Sequence, residues 1–306
     1  MLGAFAWFGK RGQMCLIAGL IAGLALPDLA EALRPWVATG VCLLLFVTGL
    51  RIGLRRALGS VAAIGDTLVR IAVFQTLLPL CTVGLFTALG LIHWPLSLAI
   101  VLMLAAPSLT GAPNFAVMMG NDPAPGMRLL ILGTALFPLT ALPVFLILDP
   151  TGGGPFAALS LSLGLLAAIL LAVGAGFLVR RLLPVFARAP QQAALDGCAA
   201  LLLGIVVVGL MSAVGPMLRA NPGNLALWIL TVFAVYLVLS IGTLFIMRRT
   251  GLNLVLPTSI YASNRNIALF LIVLPDAVAA PLMIYVGCYQ IPMYLTPWLF
   301  SRLRAN

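Results

Sequence analysis

Ala262-Ser263-Asn264-Arg265-Asn266-Ile267-Ala268 lies well inside an apolar run that extends from about Leu252 to Leu274. Three polar side chains and one full positive charge interrupt a segment long enough to span a bilayer. An arginine at the bilayer centre costs on the order of 2.5–3.5 kcal/mol on insertion scales. The chain tolerates that only if Arg265 faces protein, water or a ligand. Two readings follow. One is a functional site, the default for an intramembrane charge. The other is a guanidinium bonded to backbone carbonyls that holds a kink.

The surrounding composition sets the class. Of 306 residues, 63% are hydrophobic and 8% are charged, where a soluble domain carries about 25% charged residues. Mean hydropathy is +1.18. The chain reads as an all-α integral membrane protein, because apolar runs of helix-spanning length recur and strand-like alternation is absent. The net charge of +10 does not point to nucleic acid, since the basic residues fall between apolar runs. Cys15, Cys42, Cys81, Cys198 and Cys288 all lie within such runs, no C-x-x-C occurs, and His93 is the single histidine. No metal site, cofactor or disulfide framework is expected from this set.

Ten apolar segments are expected, at about 13–33, 35–53, 67–91, 96–120, 125–148, 156–178, 195–217, 224–247, 252–274 and 278–300. Lys10-Arg11 followed by an apolar run to Leu26 has the form of a signal peptide, but the charge and repeat patterns call for a first spanning helix. The connection from Arg51 to Asp66, with Arg55 and Arg56, reads as a basic loop or a surface-lying segment. With the N-terminus inside, Arg34 and Arg219 alone fall outside. Arg265 lies within the membrane, and the other fourteen of the seventeen basic residues fall on the inner side, Arg70 and Arg128 among them. That bias predicts a multi-pass protein of the cell (inner) membrane with both termini cytoplasmic.

The two halves share a pattern. The fourth segment contains Pro107-Ser108-Leu109-Thr110-Gly111-Ala112-Pro113-Asn114-Phe115-Ala116, which cannot stay a regular helix. Asn114-x-Ala116 matches Asn266-x-Ala268. A proline follows each asparagine nine residues on, Pro123 and Pro275, and the pair Pro138/Pro143 matches Pro292/Pro297. The expected organisation is two five-helix repeats, 1–150 and 151–306. Five is odd, so the second repeat is inverted, with the fourth helix of each half broken and the two crossing. Broken helices expose N–H groups at the start of their second halves, and Asn114 and Asn266 are placed to cap them. Corresponding interruptions in two halves point to a transporter's binding site and to alternating access around it. Thr110, Asn114, Ser263, Asn264, Arg265 and Asn266 are the expected substrate-binding residues.

At these residues the sequence resembles the bile acid:sodium symporter superfamily: ten helices, a P-x-x-T-G-x-x-N break at Pro107–Asn114, and an N-x-N break at Asn264–Asn266. The resemblance implies a panel domain (first, second, sixth and seventh helices) and a core domain (the other six), with the substrate cavity between them. It also implies coupling-site roles for Gln75, four residues before Pro79, and Thr134, four before Pro138. Helix nine departs from the pattern. Ile260 stands where the family has glutamate, Asn264 where it has glutamine, and Arg265 adds a cation. No cysteine lies in the fourth-helix break, which sets aside the arsenite exporters.

The leading expectation is a secondary active transporter for a small organic anion, with Arg265 supplying the charge that sodium supplies elsewhere. The rivals are a sodium-coupled symporter of bile-acid-like or other organic acids and a membrane channel, with Na⁺ or H⁺ as the candidate coupling ions. A channel predicts a ring of repeated polar residues, and none is seen. An enzyme is not expected, because the membrane interior offers no central carboxylate or histidine. Nor does a P-loop appear for ATP-driven transport. The expected partners are the anion and the lipid bilayer, with no nucleic acid.

Overall fold

The computed structural model describes residues 2–52 and 64–304. The side chains of Lys10, Asn114, Val117, Met118 and residues 302–304 lie outside the description, as does most of the basic connection with Arg55 and Arg56.

The described chain is helical. Its elements are α1 (Leu2–Lys10), α2 (Gly12–Ala25), α3 (Pro27–Leu33) and α4 (Val37–Ile52), then α5 (Ile64–Ile71), a π-helical stretch (Ala72–Leu77), α6 (Leu78–Ala88), α7 (Pro95–Ala105), α8 (Ala112–Met118) and α9 (Ala124–Leu148). The rest is α10 (Gly154–Leu182), α11 (Ala189–Leu210), α12 (Val214–Ala220), α13 (Pro222–Arg249), α14 (Val255–Ser263), a 3₁₀ stretch (Ile267–Ile272), α15 (Asp276–Tyr294) and α16 (Thr296–Arg304). Among the described residues, seven helices are long and apolar enough to cross a membrane. Two shorter apolar helices, Gly12–Ala25 and Pro95–Ala105, accompany them. The protein is a multi-pass membrane protein.

The first two expected segments need correction. The chain turns at Leu26-Pro27, not near Pro35, so the first helical stretch is α1–α2 and the second runs Pro27–Ile52. Pro27 opens a helix because the first helical N–H has no partner to lose, and Asp28 in the same turn suits the positive helix end. Pro35 sits in a short 3₁₀ turn, Arg34–Trp36, that runs on into α4.

Packing forms two layers. In one, α1 and α2 lie along α11, and α4 lies against α10 and α11. Glycines permit this: the backbone of Phe5 meets Gly197, and that of Phe46 meets Gly176, where any Cβ would collide. Small residues let membrane helices approach closely where lipid gives little drive for association. The other layer holds α5–α9 and α13–α16. Phe270 of the 3₁₀ stretch anchors there between Phe137 and Phe145 of α9, with ring centroids 4.9 and 5.6 Å away.

Arg70, which falls within the expected third segment, is a buried residue of α5, bonded to Asp66 one turn back, to the Thr258 hydroxyl at 2.7 Å and to the Asn253 carbonyl. It ties α5 to the start of α14.

Candidate functional site

Both expected helix breaks occur, and they meet. After α7, Ala106 turns extended (φ −64°, ψ 151°). After α14, Asn264 does the same (φ −117°, ψ 91°). Ser108 and Arg265 form an isolated antiparallel bridge. The Leu109 N–H donates to the Asn264 carbonyl at 2.9 Å, and the Asn266 N–H to the Pro107 carbonyl at 2.8 Å. Exchanging Pro107, Ser108 and Leu109 for Asn264, Arg265 and Asn266 swaps these two bonds, so the crossing has local two-fold symmetry. It equates Leu109 with Asn266, not Asn114.

The capping expectation fails at Asn266 and lies outside the described side chains at Asn114, which is the third residue of α8, behind Pro113. Asn266 does precede the 3₁₀ stretch, but its side chain makes no capping bond. The second halves have seven and six residues, too short for a substantial macrodipole.

The second break satisfies itself through side chains. The Tyr289 hydroxyl accepts from the Arg265 N–H at 3.0 Å and donates to the Ser263 carbonyl. Asn264 is fully buried: its amide donates to the Ile260 carbonyl at 3.1 Å, and its carbonyl accepts from Thr296 at 2.8 Å. Thr296 in turn meets the Tyr236 hydroxyl at 2.6 Å. The Ser263 hydroxyl bonds back to the Ser259 carbonyl. A break inside a membrane must find partners for the helix bonds it gives up, and here conserving that account consumes both Ser263 and Asn264.

Arg265 is 1% exposed. Its guanidinium donates to three carbonyls from three elements: Ala262 at 3.1 Å, Ala106 at 3.0 Å and Phe74, in the π-helical stretch, at 3.0 Å. It lies 4.3 Å from the Tyr261 ring centroid and 5.9 Å from that of Phe74. Hydrogen bonds from a charged donor contribute about 1.5–3 kcal/mol each, and a desolvated cation–π contact about 2. Together these offset the insertion cost without a counter-ion. Among the described residues no carboxylate pairs with Arg265; the ion pairs found are Arg51–Asp196 and Arg70–Asp66.

Gln75 is fully buried and committed to packing. Its amide donates to the Gly133 carbonyl at 3.0 Å and to the Thr140 hydroxyl at 2.7 Å, while its carbonyl accepts from Tyr261 at 2.9 Å. Thr134, the other expected coupling-site residue, is buried one residue beyond Gly133.

A cavity of about 540 Å³ opens between the two layers and ends at the crossing. Thr110, Asn266 and part of Arg265 line it; Ser263 and Asn264 do not. Its wall also includes Gln290 and Tyr294 of α15, linked by a 2.7 Å bond from the tyrosine hydroxyl to the glutamine carbonyl. Arg11, Arg51 and Asp196 line it as well. None of these five was expected as a site residue. A glutamine and a tyrosine four apart in an otherwise apolar run were a usable signal. Ile267 and Ala268 also line the cavity, and as the first residues of the 3₁₀ stretch their N–H groups have no partner within that turn. No family model and no curated protein matches the chain.

Proposed function

We propose that the protein is a secondary active transporter that carries a small organic anion by alternating access, without sodium coupling. Counting α1–α2 as one span and each broken segment as one gives ten spans in two inverted repeats, with both termini cytoplasmic. The two observed layers then correspond to the panel and core of the bile acid:sodium symporter superfamily, and the lopsided distribution of basic residues supports the orientation.

The observation that carries the reading is the carboxylate-free guanidinium of Arg265 at the wall of the interlayer cavity. Its partners are neutral carbonyls, so its charge is uncompensated. In a poorly solvated interior that charge favours an anion in the adjoining space. The guanidinium acts from behind the wall, as a tethered cation held by Phe74, Ala106 and Ala262. Thr110, Asn266 and Gln290 are the side chains placed to touch the substrate, with Thr110 and Asn266 partly exposed there. A free cation has no place among those three carbonyls while the guanidinium occupies them, which is why sodium coupling is set aside.

The test is a series of similar size and different charge. Benzoate, benzamide and benzylammonium are added to the purified protein and its melting temperature is followed. A ligand that binds the folded state raises it. The reading expects stabilisation by benzoate and by related carboxylates or sulfonates, and none by the amide or the ammonium. Preference for the ammonium or the neutral amide would overturn it.

A further inference from the structure

The interlayer space has a second chamber. A cavity of about 230 Å³ lies beside Pro113 of α8, Met127 and Leu130 of α9 and Gln192 of α11. Arg51, Thr110 and Asp196 line both chambers. The partition between them is therefore an ion pair on one layer and a threonine on the other. Arg51 Nη2 lies 2.5 Å from Asp196 Oδ1, and the two side chains are 22% and 46% exposed.

The surroundings make this pair exchangeable. Arg180 of α10 donates to the carbonyls of Leu50 and Arg51, so the end of α4 is pinned while the Arg51 side chain reaches into the partition. Asp196 is the single carboxylate among the described residues lining either chamber, whereas Arg11, Arg51 and Arg265 are cations. A pair this exposed contributes at most about 1 kcal/mol. A free oxyanion can offer the guanidinium fork two parallel bonds. Asp196, already nearly half exposed, has solvent to turn to.

We infer that Arg51 is an anion-accepting site at the partition and that Asp196 is its resting occupant. An incoming carboxylate, sulfonate or phosphate group displaces Asp196 from Arg51 and opens the way between the chambers. This rests on the organic-anion reading above.

The experiment titrates purified full-length protein with potassium benzenesulfonate, which stays ionised at any working pH. Wild type, Asp196→Asn, Arg51→Gln and the double variant are compared, each checked for an unchanged ligand-free melting curve. Removing the competitor in Asp196→Asn is expected to tighten binding about two- to fivefold, the range of an exposed ion pair. Arg51→Gln is expected to weaken binding and to abolish that gain in the double variant. Wild-type binding with an unresponsive Asp196→Asn, or a gain that survives Arg51→Gln, overturns this inference alone. No benzenesulfonate binding by any of the four overturns the anion reading together with it.

Discussion

The two helix breaks meet at one point but are built in opposite ways. The second, Ser263–Asn266, is rich in polar side chains, and almost all of them turn inward: Asn264 to Thr296, Ser263 to Ser259, Arg265 to three carbonyls. The first, Ala106–Gly111, has few polar side chains and uses its backbone. Its Ala106 and Pro107 carbonyls and Leu109 N–H are all satisfied by the second break. That leaves Thr110 free to line both chambers of the cavity. The polar-rich break thus spends most of its side chains on structural support, and each break gives one partly exposed polar side chain, Thr110 or Asn266, to the cavity.

The contrast breaks most visibly at Arg265. Arg265→Gln strands the carbonyls of Phe74, Ala106 and Ala262, and at about 1–3 kcal/mol for each unsatisfied group it is expected to cost several kcal/mol, read as a large loss of melting temperature. Arg265→Lys is expected to recover little, because one ammonium cannot span three carbonyls and stack on Tyr261. Full stability in either variant would remove the support role. Next in size is Tyr289→Phe, which deletes the hydroxyl serving both Ser263 and Arg265 in the second break. It is expected to cost about 1–3 kcal/mol. Ser108→Ala, the matching position in the first break, is expected to cost about 0.5 kcal/mol or less, since its hydroxyl makes only a 3.4 Å contact. Equal losses in the two variants would erase the contrast. Smallest in stability are Thr110→Val and Asn266→Ala, expected within about 0.5 kcal/mol of wild type while ligand affinity falls. Denaturation and binding measured on the same preparations separate the two effects.

Much of this was legible in the sequence, for reasons that differ by residue. Pro107, Pro113 and Gly111 forbid a regular helix, and a charge in mid-run demands an explanation, so both breaks could be located from local chemistry. What surrounds Arg265 could not. Its acceptors are main-chain carbonyls, which every residue carries, so Phe74 and Ala106 leave no signature as its partners. The buried role of Asn264 depends on Thr296 and Tyr236, brought close only by packing. Arg70 is the opposite case: Asp66 stands four residues before it, a helical ion-pair spacing that was readable. The Asn114–Asn266 match was real as a pattern but offset from the local symmetry that the backbone bridge defines.

The central claim is that Arg265 is a tethered cation and that transport of an organic anion needs no sodium. The direct measurement is uptake of a radiolabelled organic anion, chosen by the charge series, into proteoliposomes containing the wild-type protein, with an inward sodium gradient or with all sodium replaced by potassium. The account predicts the same initial rate in both. A rate that collapses without sodium would contradict it.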